Sequence, residues 1–353
     1  MSLYGLPLLL AQGSTARSSE RAAGSSFWFP PQASTFAKDV DSLYMYIGYI
    51  SAVFFVLIVV AMVWFSIKYR RRSGYEGDST ALHNNALEIV WTVIPTIIVV
   101  WIFAEGVKGY MDMMTPPAST IDVNVTARKW AWSFQYPNGA ISTELHVPVN
   151  KASRMRMRSE DALHAFYVPA FRCKTDVVPG RVTYAWFEPI LEGTFDLFCA
   201  EYCGDEHSNM ITTVTVHSDE DYEKWLKEAA KPPTDIEAHG LWLYERMGCK
   251  SCHSIEPGKK IVGPSFAETF GTEQKIFGGT AIKVDAGYIR ESILEPQKKI
   301  RDTFQGASQM PSYQGKLKDD EILALTAFIE ALKDGKLTDD ELGKNDDKPT
   351  APK

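Results

Sequence analysis

Two short stretches hold most of the residues in this sequence whose types and spacing could do chemistry. The first is Cys199-Ala-Glu201-Tyr-Cys203-Gly-Asp-Glu-His207-Ser-Asn-Met210, which gathers two thiols, an imidazole and a thioether within one loop-sized segment. Soft thiolate and thioether ligands combined with imidazole select copper over hard cations, and a methionine as a weak extra ligand marks copper electron-transfer sites. One loop can hardly surround a metal, so a further ligand is expected from another strand. His164, in Asp161-Ala-Leu-His164-Ala-Phe-Tyr-Val-Pro169, is the candidate. Singly, each residue has a plainer use: a strand histidine satisfied in the core, a methionine as filler, a C-x3-C pair as a disulfide in an oxidising compartment. Their conjunction decides for the metal, because Met210 is the only methionine between Arg158 and Arg246 and falls three residues after the histidine.

The second stretch is Cys249-Lys-Ser-Cys252-His253, the C-x-x-C-H pattern in which two thiols add to haem vinyl groups and the adjacent histidine ligates iron. A redox or zinc C-x-x-C is the alternative, and the search for a sixth ligand argues against it. Met310, in Gln309-Met310-Pro311-Ser-Tyr313, is the only methionine after His253 and stands in the kind of loop that places a sulfur on haem iron. His/Met ligation raises the reduction potential.

These groups need elements to position them. Ser42 to Ile67 carries no charge and is long enough to cross a hydrocarbon core of about 30 Å as a helix. A second apolar stretch, Ile89 to Ala104, spans when extended to 87–110 with Glu88 and Glu105 near the interfaces. A buried core helix is the rival for such a run, but two apolar helices separated by a short polar segment favour a membrane hairpin. Lys68-Tyr-Arg70-Arg71-Arg72 lies between them, and positive charge collects on the cytoplasmic side. The N-terminus and everything beyond Tyr110 are therefore expected outside. Leu3 to Ala11 is faintly like a signal sequence without a preceding basic residue or a lipobox cysteine, which leaves cleavage open.

After Pro116-Pro117 the pattern changes to short stretches alternating with period two, such as Ile121-Asp-Val-Asn-Val125 and Thr212-Thr-Val-Thr-Val216, between turns such as Pro137-Asn-Gly139. This predicts an antiparallel β-sandwich or barrel. A charged, helix-prone segment follows, stopped by Pro232-Pro233. The helix expected over Ile236 to Gly248 precedes the haem motif, and Ile322, Leu325, Phe328, Ile329 and Leu332 recur at helical spacing within Asp319 to Lys333. That stripe is core, packed over the haem or the first helix.

The 353 residues carry a net charge of −7, and no long basic run suggests a nucleic-acid partner. Five cysteines, an odd number with two close pairs, do not form a disulfide scaffold. Cys173 falls outside both motifs and reads as a small buried hydrophobe. The expected organisation is an N-terminal segment (1–41), a first membrane helix (42–67), a cytoplasmic loop (68–86), a second membrane helix (87–110), a copper domain (118–218), a linker helix (219–233), a cytochrome domain (234–333) and a polar, disordered tail (334–353).

The Cys-x-Glu-x-Cys-x3-His-x2-Met segment, with the Asp-x-x-His-x-Phe-x-Val-Pro strand before it, resembles the binuclear CuA centre of cytochrome c oxidase subunit II. With the fused C-x-x-C-H unit, the layout from Asp41 to Lys333 resembles the caa3 type. The resemblance implies a multidomain membrane protein: a two-helix hairpin, an all-β cupredoxin-like Greek-key barrel and an all-α cytochrome c domain. It implies that Cys199 and Cys203 bridge two coppers, that His164 and His207 cap them, that Met210 is a weak axial ligand and that the Glu201 carbonyl completes the site. The Glu201 side chain would lie toward a magnesium shared with subunit I. Cys249, Cys252, His253 and Met310 would hold one covalent haem c, with the carbonyl of Pro264 in Val262-Gly263-Pro264 orienting His253.

Trp130-Ala-Trp132-Ser-Phe134-Gln-Tyr136 resembles the family's aromatic segment, whose first tryptophan receives electrons. Glu88-Ile-Val-Trp91-Thr-Val-Ile-Pro95 resembles the start of its second span, where the glutamate marks the mouth of a proton pathway. The plainer reading of Glu88 is an interfacial carboxylate favoured by a helix N-terminus.

The implied partners are subunit I with its haems and CuB, other oxidase subunits, membrane lipid, and a periplasmic or membrane-bound donor (a cytochrome or a quinol-oxidising complex). The implied location is a bacterial cytoplasmic membrane, crossed twice, with both domains on the periplasmic side. A free-standing membrane-anchored electron carrier and a copper-delivery or sensor protein are the rival readings. Glu88 and the Trp91 to Pro95 pattern argue against a mere anchor, and the covalent haem argues against a delivery protein.

Overall fold

The computed structural model describes residues 25–74 and 83–334, the side chains at 268 and 334 excepted. The N-terminal signal-like stretch and nearly all of the expected tail lie outside the described residues.

Helix α1 (Ala37–Lys68) and helix α2 (Asn85–Met114) pack together as a hairpin, with Tyr46 of α1 edge-on to Trp101 near the middle of α2 at 5.6 Å. Their apolar side chains face outward: Phe55, Ile58, Ile97 and Phe103 are all more than 60 % exposed in the chain alone. Such a surface is stable only against lipid or another protein. Asn84 caps α2 by accepting the Leu87 amide, and Lys68 closes the last turn of α1. Helix α1 begins five residues before the apolar run, because Asp41 is turned into a polar clamp rather than into a span.

The next unit is two packed five-stranded sheets. The first, in the order β3-β2-β1-β5-β8, comprises β1 (Ile121–Arg128), β2 (Ala131–Gln135), β3 (Ile141–Ser142), β5 (Ser153–Ser159) and β8 (Thr183–Phe187). The second, β4-β10-β9-β6-β7, comprises β4 (Leu145–Pro148), β6 (His164–Val168), β7 (Cys173–Val177), β9 (Gly193–Cys199) and β10 (Ile211–His217). The pairs β1–β5 and β4–β10 are parallel and the others antiparallel, which gives a half-barrel of cupredoxin type. In β5, Met155 and Met157 point inward while Arg156 points out, the alternation read in the sequence. Phe134, Leu145, Phe166 and Leu197 close the core between the sheets.

Residues 25–36 do not hang free of this sandwich. The Ala33 amide donates to the Ala170 carbonyl, and Ile190 donates back to Ala33. Arg172 spends its guanidinium on Asp41 of α1 in a bidentate pair at 2.7 Å and on the carbonyls of Pro30, Pro31 and Pro169. Both members of the pair are less than 10 % exposed, so the anchor and the sandwich share one buried, fully used cation.

Helix α3 (Asp219–Ala229), capped by Ser218, lies on the sandwich through Trp225 and Tyr222. The C-terminal unit contains α4 (Ile236–Arg246), α5 (Ala286–Leu294) and α6 (Asp319–Asp334), plus a small hairpin of β11 (Glu273–Lys275) and β12 (Ala281–Lys283). The α6 stripe packs on α4, and two of its residues, Leu325 and Ile329, also line the cavity beside the C-x-x-C-H motif. At the crossing, Gly240 lets the two backbones meet so closely that a Cβ there would stand 2.1 Å from the Ala324 carbonyl.

Candidate metal and haem sites

Sequence neighbours in the first motif become spatial neighbours because β9 ends at Cys199 and β10 starts at Ile211, so the loop between them folds back over its own start. The Cys199 amide donates to the Met210 carbonyl, closing that loop. The two thiol sulfurs lie 3.9 Å apart; Cys203 Sγ is 3.5 Å from His207 Nδ1 and 3.9 Å from Met210 Sδ. Strand β6 brings His164 from the neighbouring position in the sheet, with Nδ1 3.8 Å from Cys199 Sγ. The carbonyl of Glu201 is 3.3 Å from the same sulfur.

The ligating atoms of His164, Cys199 and Cys203 all fall within 4.8 Å of one another. Every residue expected at the first site is thus in one cluster at the edge of the sandwich core, where His164 and Met210 are sealed from solvent and His207 is half-buried.

Electrostatics favour a cationic occupant. Burial pushes the Cys199 thiol up, but His164 and the backbone around it outweigh burial and bring it to about 6. Burial, joined by the neighbouring Cys199 charge, pushes Cys203 up to about 12. Without a metal the pair therefore holds one thiolate and one thiol; a bound cation removes the second proton. Sulfur, imidazole and thioether in a closed, nearly dry cluster fit copper and do not fit a hard cation.

Asp161, quoted in the motif but given no role from sequence, supports this cluster from behind. Its carboxylate oxygens are 2.9 Å from His164 Nε2 and 2.7 Å from the Lys129 amide. The signal was present in the sequence as an acid three residues before the histidine. Trp130, at the β1–β2 turn, is only 7 % exposed. Its ring lies against Gly204, where a Cβ would stand 3.1 Å from the indole and φ is +127°; only glycine fits between Cys203 and this ring.

The other functional residues expected from sequence lie elsewhere. Glu88 stands in the first turn of α2, half exposed, with His83 at 3.8 Å. Cys173 is buried and its thiol is pushed up to about 12 by burial, which makes it inert.

In the C-terminal unit, Cys249, Cys252, His253 and Met310 line one cavity of about 330 Å³ with Phe266 and Ile293. The ring of His253 stacks on Phe266 at 4.4 Å. Its Nδ1 donates to the Pro264 carbonyl at 2.8 Å, which leaves Nε2 as the nitrogen available to a metal. Burial holds the imidazole neutral, with a pKa down near 4, the form that can ligate. Two thiols, one oriented neutral imidazole and a thioether around an apolar cavity fit a covalently attached haem.

A third cluster was not read from sequence. His146 and His217, from the parallel pair β4–β10, meet at 2.9 Å between Nδ1 and Nε2, and Trp225 of α3 stacks on His146 at 4.0 Å.

Comparison with known proteins yields three family matches. Residues 22–107 match the cytochrome c oxidase subunit II transmembrane domain, 140–217 the periplasmic domain of the same subunit, and 238–333 cytochrome c. Cytochrome c oxidase subunit 2 of Alkalihalophilus pseudofirmus is 30 % identical over 295 residues, covering 79 % of this chain and 83 % of the relative. The subunit 2 of Thermostichus vulcanus is 31 % identical over 265 residues, covering 58 % and 81 %. Among solved structures, the periplasmic domain of subunit II of the Bradyrhizobium japonicum cytochrome oxidase is similar at 30 % identity. It covers 33 % of this chain and 96 % of that one, with a TM-score of 0.31.

Proposed function

The chain belongs to the cytochrome c oxidase subunit II family, and from that premise we propose that it conducts electrons from its own cytochrome domain, through a copper centre, to an oxygen-reducing, proton-pumping subunit I. It is a two-pass membrane component of a haem–copper terminal oxidase, with a copper-binding domain and a haem-binding domain. The convergence of His164, Cys199, Cys203, His207 and Met210 on one point carries the reading.

When bound, a pair of coppers and a covalent haem c supply reversible one-electron exchange. The protein's part is to hold the ligands so that little has to move. Cys199 and Cys203 would hold the coppers as thiolates, with His164, His207, Met210 and the Glu201 carbonyl as the further ligands. Asp161 fixes the ring of His164, and Pro264 fixes that of His253. Cys249 and Cys252 anchor the haem, and Met310 faces the same cavity as His253.

The cationic end of α1 faces the cytoplasm and both domains stand on the periplasmic side. The Glu201 carboxylate would hold a magnesium shared with subunit I, Trp130 would relay electrons into the copper ligands, and Glu88 would mark the mouth of a proton path. The donor is a periplasmic or membrane-bound cytochrome or quinol-oxidising complex.

The test is metal analysis and electron-spin spectroscopy of the full chain purified from membranes. Two coppers per covalent haem with a delocalised mixed-valence signal, and loss of both on Cys199→Ser, are expected. A single blue-type copper, or none, overturns the reading.

A further inference from the structure

The β1–β2 turn touches three things at once. At its first residue, Arg128, the copper-binding sandwich reaches into the other domain. The guanidinium donates to the Met247 carbonyl at the end of α4 and lies 5.1 Å over the ring of Tyr313, whose hydroxyl donates to the same carbonyl at 2.9 Å. Arg128, Lys129 and Ala131 are part of the wall of the haem cavity, beside Gly248, Cys249 and Cys252. The contact is tight: Gly248 has φ +77°, and a Cβ on it would stand 2.6 Å from Arg128 Nη2 and 3.5 Å from the Ala131 Cβ.

At the second residue, the Lys129 amide holds Asp161, which holds His164. At the third, the Trp130 ring lies on Gly204, next to Cys203. Around this turn Val262 packs on the sandwich core, and Lys316 binds both oxygens of Glu160 at 2.8 Å.

We propose that Arg128 is a latch that holds the cytochrome domain in one docked pose, the mouth of its haem cavity set against the turn that supports both copper-ligating histidine and cysteine. The latch rests on the proposed function, since it matters only where an electron crosses from one site to the other. An arginine suits the role: its fork donates to a carbonyl while its plane stacks on a ring, which a lysine cannot do together. The seam combines one shared charge-assisted hydrogen bond, one stacked pair and one outlying ion pair with the packing of Val262 and Gly248 against the sandwich. In the docked form the internal transfer, one electron from the reduced haem to the oxidised mixed-valence copper pair, would need no search by the domain.

The experiment uses the intact oxidase with Arg128→Ala, Arg128→Lys and, as a peripheral control, Lys316→Ala. Haem and copper content are measured first, then hydrogen exchange of the 246–250 segment, then the rate of haem-to-copper transfer after photoreduction of the haem, in buffers of increasing viscosity. Expected for Arg128→Ala are full cofactor content, exchange faster by about tenfold or more, the scale of one charge-assisted hydrogen bond, and a transfer rate that falls with viscosity while that of the unaltered protein does not. Arg128→Lys should lie between them and Lys316→Ala close to the unaltered protein.

Unchanged exchange and a viscosity-independent rate in Arg128→Ala overturn the latch. If that variant does not assemble, Gly248→Ala, which crowds the guanidinium off the Met247 carbonyl, and Arg128→Lys decide by the same two readouts. No haem-to-copper transfer in the unaltered protein overturns instead the functional reading on which the latch rests.

Discussion

A methyl group added at Gly263 tests the haem site through the ring it depends on. An ideal Cβ there would stand 2.4 Å from Cε1 and 2.7 Å from Nδ1 of His253, so ring and loop must separate by about 1 Å to reach ordinary contact. Neither side can yield freely. The ring is stacked on Phe266 and bonded to Pro264, while the amides of Val262 and Gly263 both donate to the Cys252 carbonyl at 3.2 and 2.8 Å. Overpacking of this kind costs about 1–3 kcal/mol and the strained His253–Pro264 bond about 1 kcal/mol more. For a domain of about 100 residues the sum lowers the melting temperature by roughly 10–20 °C. Gly263→Ala should therefore melt early when followed at the haem absorption, and should shift the haem potential, because the imidazole no longer meets the iron in the same orientation. A variant that melts within a couple of degrees of the parent, with the same potential, refutes the claim that this loop sets the ring.

Gly240→Ala meets backbone rather than a movable side chain, 2.1 Å from the Ala324 carbonyl and 2.5 Å from the Phe328 Cβ. It should cost about 3 kcal/mol or more and abolish haem incorporation while the copper signal survives; normal haem content would contradict the α4–α6 packing described. Asp161→Asn keeps a hydrogen-bonding oxygen beside His164 but removes its charge, so copper affinity should fall roughly tenfold to a hundredfold, read by competition with a chelator. Acid should loosen α3. Burial, with the charges of His217 and Arg246 adding, lowers His146 to about 3, and burial lowers His217 also. A histidine depressed in the fold binds its proton more readily when released, so stability is complete above about pH 6.5 and declines as pH falls toward 3, by about 2–4 kcal/mol. Trp225 fluorescence in a pH titration should report the opening, and His146→Gln should flatten it; an identical titration in that variant would sink the assignment.

The two candidate clusters were legible in the sequence because most of their members share a short segment, and residue type with spacing survives whatever the chain does elsewhere. His164 was recoverable because its own motif marks a strand. What could not be read is contact between segments that no local pattern links. Arg172 finds Asp41 across 131 residues, and His146 finds His217 across 71 only because β4 and β10 pair in parallel. The same holds for the start of α1: counting apolar residues places it at Ser42, but helical hydrogen bonding runs back to Ala37, since Asp41 is neutralised by a cation from another domain. The Arg128 contact, across 119 residues, runs from a strand end to the carbonyl that follows a helix in a separate unit.

The two imidazoles proposed to meet cofactors are held by opposite nitrogens, and the partners differ in kind. A carbonyl can only accept, so Pro264 fixes the proton of His253 on Nδ1 and leaves Nε2 for iron. A carboxylate also only accepts, so Asp161 fixes the proton of His164 on Nε2 and leaves Nδ1, the nitrogen facing Cys199. The neutral carbonyl orients without adding charge, whereas the carboxylate also makes its imidazole a stronger donor. That difference suits the two sites. The cysteines of the haem motif would spend their sulfurs on the porphyrin and leave iron to two neutral ligands, which would keep the potential high. At the proposed copper site the thiolates would bring the negative charge, and the Asp161 carboxylate would make His164 a stronger ligand beside them. Because Asp161 is itself held by the Lys129 amide, its aim depends on the β1–β2 turn, and any shift of that turn displaces a copper ligand as well as the wall of the haem cavity.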